Sequence, residues 1–222
     1  KAMASGTMCA TCFVGCGAGL TGIDAGFTPD AQENLYAGTE AGNSSDSDTC
    51  FNVALGYRAF KTNSSSDDNV VIGCEAGCGW NSSDNKTVLI GARAGKNMTG
   101  GSRTIAIGFE AGCCAGVSDA SIFIGAYAGK LACNSAHGSL FIGSNAGKGK
   151  NTSDATGDNN IAIGGGALAC FESGCRNTVL GHSAANKLST GQHNVALGYV
   201  ALGEGAVTGA YNVAIGDQAG KY

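Results

Sequence analysis

Proline, charge and long apolar runs are scarce in this 222-residue sequence. There is a single proline, Pro29, only 14% of the residues are charged, and the formal net charge is −4. A charge that is weak and negative argues against nucleic acid as a partner. No uninterrupted apolar run reaches about 18 residues, so no membrane span is expected.

Glycine, in contrast, is abundant, and it marks an internal repeat. Twelve copies of one short motif align on a shared glycine, called the index glycine below, and nine of the eleven gaps between them are 17 or 18 residues. The index glycines are Gly15, Gly38, Gly56, Gly73, Gly91, Gly108, Gly125, Gly143, Gly164, Gly181, Gly198 and Gly216. Because the repeat fills the chain, residues 1–222 are predicted to form a single repeat domain.

The columns of the repeat predict short strands. Counting from the index glycine, position −4 is always Asn, Thr or Ser, position −1 is always an aliphatic residue or alanine, and position +3 is always alanine. A segment such as Val53-Ala54-Leu55 is too short for a helix and suits a strand, and the polar stretches between copies suit turns. The predicted fold is all-β, a parallel β-solenoid or β-roll of about twelve 17–18-residue coils. Twelve coils stacked at ~4.8 Å give a rod ~55–60 Å long.

Alternation along a strand assigns a face to each position. Positions −3 and −1 share one face, which we expect to lie inside the coil, and position −2 is then expected to point outward. Every residue at position −2 is apolar apart from the hydroxyl group of a tyrosine, and a strand that is apolar on both faces is buried on both faces. We therefore expect position −2 to pack on another chain, or on the second half of a wider coil. The predicted assembly face comprises Phe13, Tyr36, Val71, Leu89, Phe123, Phe141 and Val179.

The best-matching copies resemble a known family of repeats. These copies are "NIAIG" at 160–164, "NVAIG" at 212–216 followed by Ala219-Gly220, and "TIAIG" at 104–108 followed by Ala111-Gly112. They are similar to the head repeats of trimeric autotransporter adhesins, and to repeats in the shafts of phage and viral tail fibres. The resemblance implies a trimeric left-handed parallel β-roll. The adhesin repeat is shorter, nearer fourteen residues, and those families are poor in cysteine.

Cysteine is unusually frequent, with eleven residues. That number favours an oxidising, extracellular compartment, and the odd count leaves at least one thiol unpaired within the chain. The candidate disulfides are Cys170–Cys175, across a turn, and Cys114–Cys133, about one coil apart. Buried free thiols are an alternative. A metal site at Cys9, Cys12 and Cys16 is disfavoured because no fourth ligand follows at a recognisable spacing, so no metal or other cofactor is predicted.

The turns contain N-x-[ST] sequons, in which asparagine is the candidate acceptor of N-linked glycan in a secreted protein. The alternative is that the motif arises by chance, because Asn, Ser and Thr are common in turns. The candidate acceptors are Asn43, Asn63, Asn81, Asn85, Asn97 and Asn151. No catalytic residues are predicted, because the three histidines fall in different columns without a fixed acidic or nucleophilic partner. The chain is therefore not expected to be an enzyme.

The sequence favours an extracellular structural fibre protein, secreted, on a cell surface or in a virion fibre. Neither end of the repeat array carries a charged or helical cap, so the coil ends are expected to stack on other copies or to continue into a longer chain. The predicted partner is the chain itself, through those ends, through an apolar lateral face, or through both. The alternative is a trimeric adhesin head or viral tail-fibre module that binds a receptor, with a cell-surface ligand or glycan as its partner.

Overall fold

The computed structural model describes residues 29–80, 83, 86–116, 118–132, 136–150, 156–203 and 208–221. It shows an all-β parallel solenoid, which confirms the predicted fold class, and each of eleven copies contributes a three-residue strand. The strands are β1 (Leu35–Ala37), β2 (Val53–Leu55), β3 (Val70–Ile72), β4 (Val88–Ile90), β5 (Ile105–Ile107), β6 (Ile122–Ile124), β7 (Leu140–Ile142), β8 (Ile161–Ile163), β9 (Thr178–Leu180), β10 (Val195–Leu197) and β11 (Val213–Ile215). The copy at Gly15 lies outside the described residues. No helix long and apolar enough to cross a membrane occurs in the described part.

All eleven strands belong to one sheet, in the order of the sequence from β1 to β11. Each strand pairs in parallel with the strand of the next coil, and the register matches equivalent repeat positions, as in Ile105↔Ile122 and Ile107↔Ile124. The longer copy gap between Gly143 and Gly164 does not disturb the register, because Leu140 still pairs with Ile161.

The coils are also hydrogen-bonded outside the strands. For example, the Arg93 amide donates to the Cys74 carbonyl and the Gly112 amide donates to the Ala128 carbonyl, both at 2.9 Å. These bonds join equivalent turns of successive coils. They satisfy main-chain groups that a three-residue strand would otherwise leave unpaired.

The assignment of inner and outer faces predicted from the sequence is wrong. The middle residue of the strand, position −2, points into the solenoid and is fully buried in coils β2 to β10, whereas positions −3 and −1 point outward. The buried alanine at position +3 shares the interior with position −2. The interior of each coil is therefore lined by position −2 and the turn residues, and both aliphatic columns lie on the outer surface.

Position +4 is glycine or alanine in every described coil whose position −2 is larger than alanine. Where position −2 is Phe123, position +4 is Gly129, and a Cβ added to that glycine would lie 2.6 Å from the phenylalanine ring. Where position −2 is Ala162, position +4 is the buried Leu168. The narrow interior holds one large side chain at this level, so the two positions vary together.

The side chain at position −4 links each coil to the next by hydrogen bonds. Asn177 Nδ2 donates to the Gly191 carbonyl at 2.9 Å, and Asn177 Oδ1 accepts the main-chain and side-chain N–H groups of Asn194 at 2.9 and 3.0 Å. Thr87 makes the first of these contacts with its hydroxyl, which donates to the Gly101 carbonyl at 3.0 Å. This explains why only short hydrogen-bonding side chains occupy the column: the group is buried and must satisfy buried main-chain atoms.

Left-handed backbone recurs at fixed positions of the coil. The eleven described index glycines have φ between 124° and 140°, and a Cβ on Gly91 would lie 2.6 Å from the carbonyl oxygen of Gly108 in the next coil. Glycine is required there both by conformation and by the close approach of the next coil. Non-glycine residues also adopt positive φ at position +2, as in Arg93 at 58° and Glu110 at 54°. These residues with positive φ bend the chain between one strand and the next.

Candidate assembly surface

The outer face of the sheet is aliphatic along its whole length. Positions −3 and −1 of the eleven strands contain Val, Ile or Leu in twenty of twenty-two places, the exceptions being Ala37 and Thr178. Most of these side chains are half-buried by their neighbours in the column, and Ile161 and Leu180 are 39% and 48% exposed. We call this surface the aliphatic face. It is formed because each copy places two β-branched or Leu side chains on one side of the pleat.

Aromatic side chains flank the aliphatic face, notably near β9 to β11. The rings of His182 and Tyr199 stack at 5.8 Å on one side, and those of His193 and Tyr211 stack at 4.9 Å on the other. Arg176 lies beside His193, with the guanidinium Nη1 3.5 Å from the imidazole Nε2. These residues occupy positions +1 and −5, which continue the outward alternation of the strand. The flanks add exposed apolar area to the aliphatic face at this end.

Charged residues concentrate in the turns beside the sheet rather than on the aliphatic face. Position +2 alternates in sign over five successive coils, and lysines at position +5 reinforce it. The ion pairs are Arg58–Glu40, Lys61–Glu40, Arg93–Glu75, Lys96–Glu75, Arg93–Glu110 and Lys130–Glu110. Lys130 and Arg93 lower the pKa of the Glu110 carboxyl, and Lys96 and Arg93 lower the pKa of the Glu75 carboxyl. These pairs link the coils of β1 and β2 and the successive coils of β3 to β6 at the surface.

The residues predicted from the sequence to form an assembly face belong to the core. Val71, Leu89, Phe123, Phe141 and Val179 are fully buried. Tyr36 packs against the same core and its hydroxyl group lies 2.6 Å from Ser45 Oγ, and Phe13 lies outside the described residues. Because they face inward, the five fully buried residues are not available to another chain, and Tyr36 is half-buried against the core. The surface that sequence reasoning missed is the pair of columns on either side of them.

The described cysteines are all free thiols: Cys50, Cys74, Cys78, Cys113, Cys114, Cys170 and Cys175. The predicted Cys170–Cys175 disulfide is therefore absent from the structure. Phe171, directly after Cys170, points into the core, and the main chain at Cys170 and at Cys175 is hydrogen-bonded to the next coil. Cys133, the predicted partner of Cys114, lies outside the described residues, as do Cys9, Cys12 and Cys16.

Burial distinguishes the described sequons. Asn43 and Asn97 are exposed in turns, so their amides are accessible. Asn63 is fully buried, and its Oδ1 accepts the main-chain N–H groups of Ser65 and Ser66. The prediction of a glycan acceptor at Asn63 is therefore wrong for the folded chain. Asn81, Asn85 and Asn151 lie outside the described residues.

The described surface has few other candidate sites. An open depression of about 330 Å³ is lined by Asn145, Lys148, Gly149, Lys150, Ala169 and Cys170. Within the described ranges, no group of three or more His, Cys, Asp or Glu side chains is placed to hold a metal ion. The aliphatic face is thus the largest surface feature that calls for a function. Comparison with family models, with curated proteins and with solved structures finds no match to this chain.

Proposed function

We propose that this chain is an extracellular structural fibre protein that assembles with copies of itself through the aliphatic face. The observation that carries the proposal is the double column on the outside of the sheet, which is Val, Ile or Leu in twenty of twenty-two places. Exposed apolar patches beyond a few hundred Å² mark interaction surfaces in soluble proteins. A face repeated over eleven coils is suited to a partner that repeats with the same spacing, and another copy of the chain has that spacing.

The size of the face supports a stable contact. Ten spacings of ~4.8 Å between the eleven strands give a length of ~48 Å, and two outward columns with their flanking positions are ~20 Å wide. The face therefore offers roughly 1,000 Å² per copy, against about 800 Å² per partner in a typical stable complex. Charged side chains are absent from positions −3 and −1 of all the described strands. Association along these two columns buries no charge, while charged side chains at the flanking position −5, such as Asp68 and Arg103, lie at the edge of the contact, where they can stay solvated.

The turns are consistent with this proposal because their polar and charged side chains keep the rest of the surface hydrated. The ion pairs at positions +2 and +5 and the exposed polar turns would remain in solvent when the aliphatic face is covered. Sheet growth at the coil ends, the second route expected from the repeat, would extend such an assembly along its axis. Lateral and axial contacts use different atoms and can coexist in one fibre.

A receptor-binding module, an adhesin head or tail-fibre segment, is the second candidate function. The stacked pairs His182–Tyr199 and His193–Tyr211 favour it. They place aromatic rings and hydrogen-bonding groups together on an exposed surface, a combination found in ligand sites. On this view the chain forms a short trimeric rod, as the repeat resemblance implies, and the aromatic flank meets a cell-surface ligand or glycan.

Electron microscopy of the native material distinguishes these proposals. Long fibres with an axial repeat near the ~55–60 Å rod length would support the structural role. Discrete short rods of three chains would support the receptor-binding role. A monodisperse monomer at micromolar concentration, measured by light scattering on the same sample, would contradict both.

A further inference from the structure

Two adjacent thiols, Cys113 and Cys114, lie in the turn after β5. Their sulfur atoms are 3.7 Å apart. Cys113 is 6% exposed and Cys114 is half-buried, so the pair lies just below the surface with one side open. No other pair of described cysteines is adjacent in sequence. Neither the proposed assembly nor the core uses this pair.

The main chain holds the two thiols in place. The Cys113 amide donates to the Glu110 carbonyl at 3.3 Å within the turn, and the Cys113 carbonyl accepts the Asn97 amide at 2.7 Å. The Cys114 amide donates to the Lys130 carbonyl at 2.9 Å in the next coil. Both flanking coils thus fix the peptide that joins the two residues. The fold fixes this peptide, and the Cys114 thiol lies within hydrogen-bond distance of the Cys113 sulfur.

The geometry disfavours a disulfide within the pair. The described residues contain no cis peptide bond, so the two Cα atoms are ~3.8 Å apart across a trans peptide. Disulfides usually join Cα atoms ~4.4–6.8 Å apart. Closing the bond would distort a peptide that is hydrogen-bonded on both sides. The two cysteines therefore remain separate thiols, each of which can act as a sulfur ligand.

The sulfur separation fits a single bridging ion. Two thiolates bound to one tetrahedral zinc ion with bonds of about 2.3 Å lie about 3.8 Å apart. The observed 3.7 Å matches that edge of the tetrahedron. Cys113 also lies between Lys96 and Lys130 in its column. Burial, with smaller contributions from Cys114 and Glu110, raises the pKa of the Cys113 thiol, so a bound ion must displace the thiol protons.

We propose that Cys113 and Cys114 form a two-thiolate site for one soft divalent cation of the zinc and cadmium type. Binding forms two metal–sulfur bonds and releases two protons, one from each thiol, with no change of oxidation state. Water fills the remaining coordination positions, because no third His, Cys, Asp or Glu ligand is placed beside the pair among the described residues. The proposal is independent of self-assembly.

The test is a cadmium titration of the full chain in reducing, metal-free buffer, followed by thiolate-to-cadmium charge-transfer absorbance and by proton release. The titration is performed in a C9S/C12S/C16S background, so that the closely spaced N-terminal cysteines do not contribute. One equivalent of Cd²⁺ should bind per chain with release of two protons. Cd²⁺ should displace Zn²⁺ bound at the same site, because thiolates bind the softer ion more tightly. The substitutions C113S and C114S should each abolish that equivalent.

Two matched controls use thiols from the same columns. Cys78 occupies position +5 like Cys113, and Cys170 occupies position +6 like Cys114, but neither has an adjacent cysteine. C78S and C170S should leave the bound equivalent unchanged, and thermal unfolding confirms that each variant is folded. Full binding in folded C113S or C114S would overturn the proposal. So would an equal loss in C78S and C170S, which would show that dispersed thiols bind the ion.

Discussion

The ring of Phe123 occupies the space that a side chain on Gly129 would need: a Cβ built on the glycine lies 2.6 Å from the phenylalanine Cδ1. Gly129 also has φ of 59°, a conformation that alanine adopts at a cost. The substitution G129A should therefore lower the free energy of unfolding by about 2–4 kcal/mol, from overpacking and backbone strain together. Denaturant unfolding measures the loss. The matched control is A185G, at position +4 beside Val179, which should change stability by less than about 1 kcal/mol.

The contact between Phe123 and Gly129 also predicts that a substitution at position 129 can restore part of the stability lost at position 123. F123A alone opens a cavity and should cost about 3–5 kcal/mol. The double variant F123A/G129L recreates the combination found at Ala162 and Leu168, so it should regain at least about 1 kcal/mol relative to F123A. Denaturant unfolding of the two single variants and the double variant gives the coupling energy. Additive losses would show that positions −2 and +4 do not share one space.

Asn177 should be among the most sensitive polar positions. N177A removes the acceptor of the Asn194 N–H groups and the donor to the Gly191 carbonyl, and it leaves buried main-chain atoms unpaired. We expect a loss of about 2–4 kcal/mol in the free energy of unfolding, at about 1–3 kcal/mol for each unsatisfied group. N177T should lose less, because threonine at Thr87 keeps the donor contact. Equal losses in N177A and N177T would contradict the assigned role of the donor.

Acid should weaken the ladder of ion pairs. Lys130 and Arg93 lower the pKa of Glu110 below its ordinary value of 4.5 in the folded chain. A depressed carboxyl pKa contributes stability that is present above pH 4.5 and is lost as the pH falls through the folded-state value. Unfolding midpoints should thus be flat near neutral pH and decline in acid. E110Q should show a shallower decline, and 1 M salt should reduce the difference between E110Q and the unaltered chain. An identical acid decline in E110Q would exclude a contribution from Glu110.

The repeat was enough to predict the solenoid, because a column of equivalent residues implies a repeated environment and only stacked coils provide one. The side of the strand that lies inside the solenoid was predicted wrongly. Val53 and Leu55 have the large aliphatic side chains expected of core residues, whereas Ala54 has only a methyl group. A usable signal was present in the sequence: a large residue at position +4 occurs only where position −2 is alanine, as in Phe60 with Ala54. Such covariation between copies indicates contact across an interior. The sequence predicted that Asn177 and its equivalents hydrogen-bond in a turn or stack in a ladder. It did not predict the carbonyl group that each one contacts, because that carbonyl lies in a variable stretch of the repeat.

Self-association was predicted from the wrong column for a sound physical reason. A strand apolar on both faces does bury both, but alternation alone cannot say which face is the solenoid interior. The backbone conformation determines which face is inside. At Arg93 and Gly95, which have positive φ, the chain turns toward the side of position −2. The disulfide prediction failed similarly. The interval from Cys170 to Cys175 is short in sequence, but Phe171 is drawn into the core between them.

The most direct test of the central claim is sedimentation velocity of the chain with L180K, compared with the unaltered chain. Leu180 lies on the aliphatic face and is 48% exposed, so a lysine there leaves the fold intact but places charge in the proposed contact. S47K, which adds the same charge at an exposed turn residue, is the control. We predict that the unaltered chain and S47K sediment as oligomers, and that L180K sediments as a folded monomer with an unchanged circular dichroism spectrum. Oligomers of the same size in all three, or a monomer in all three, would contradict assembly through the aliphatic face.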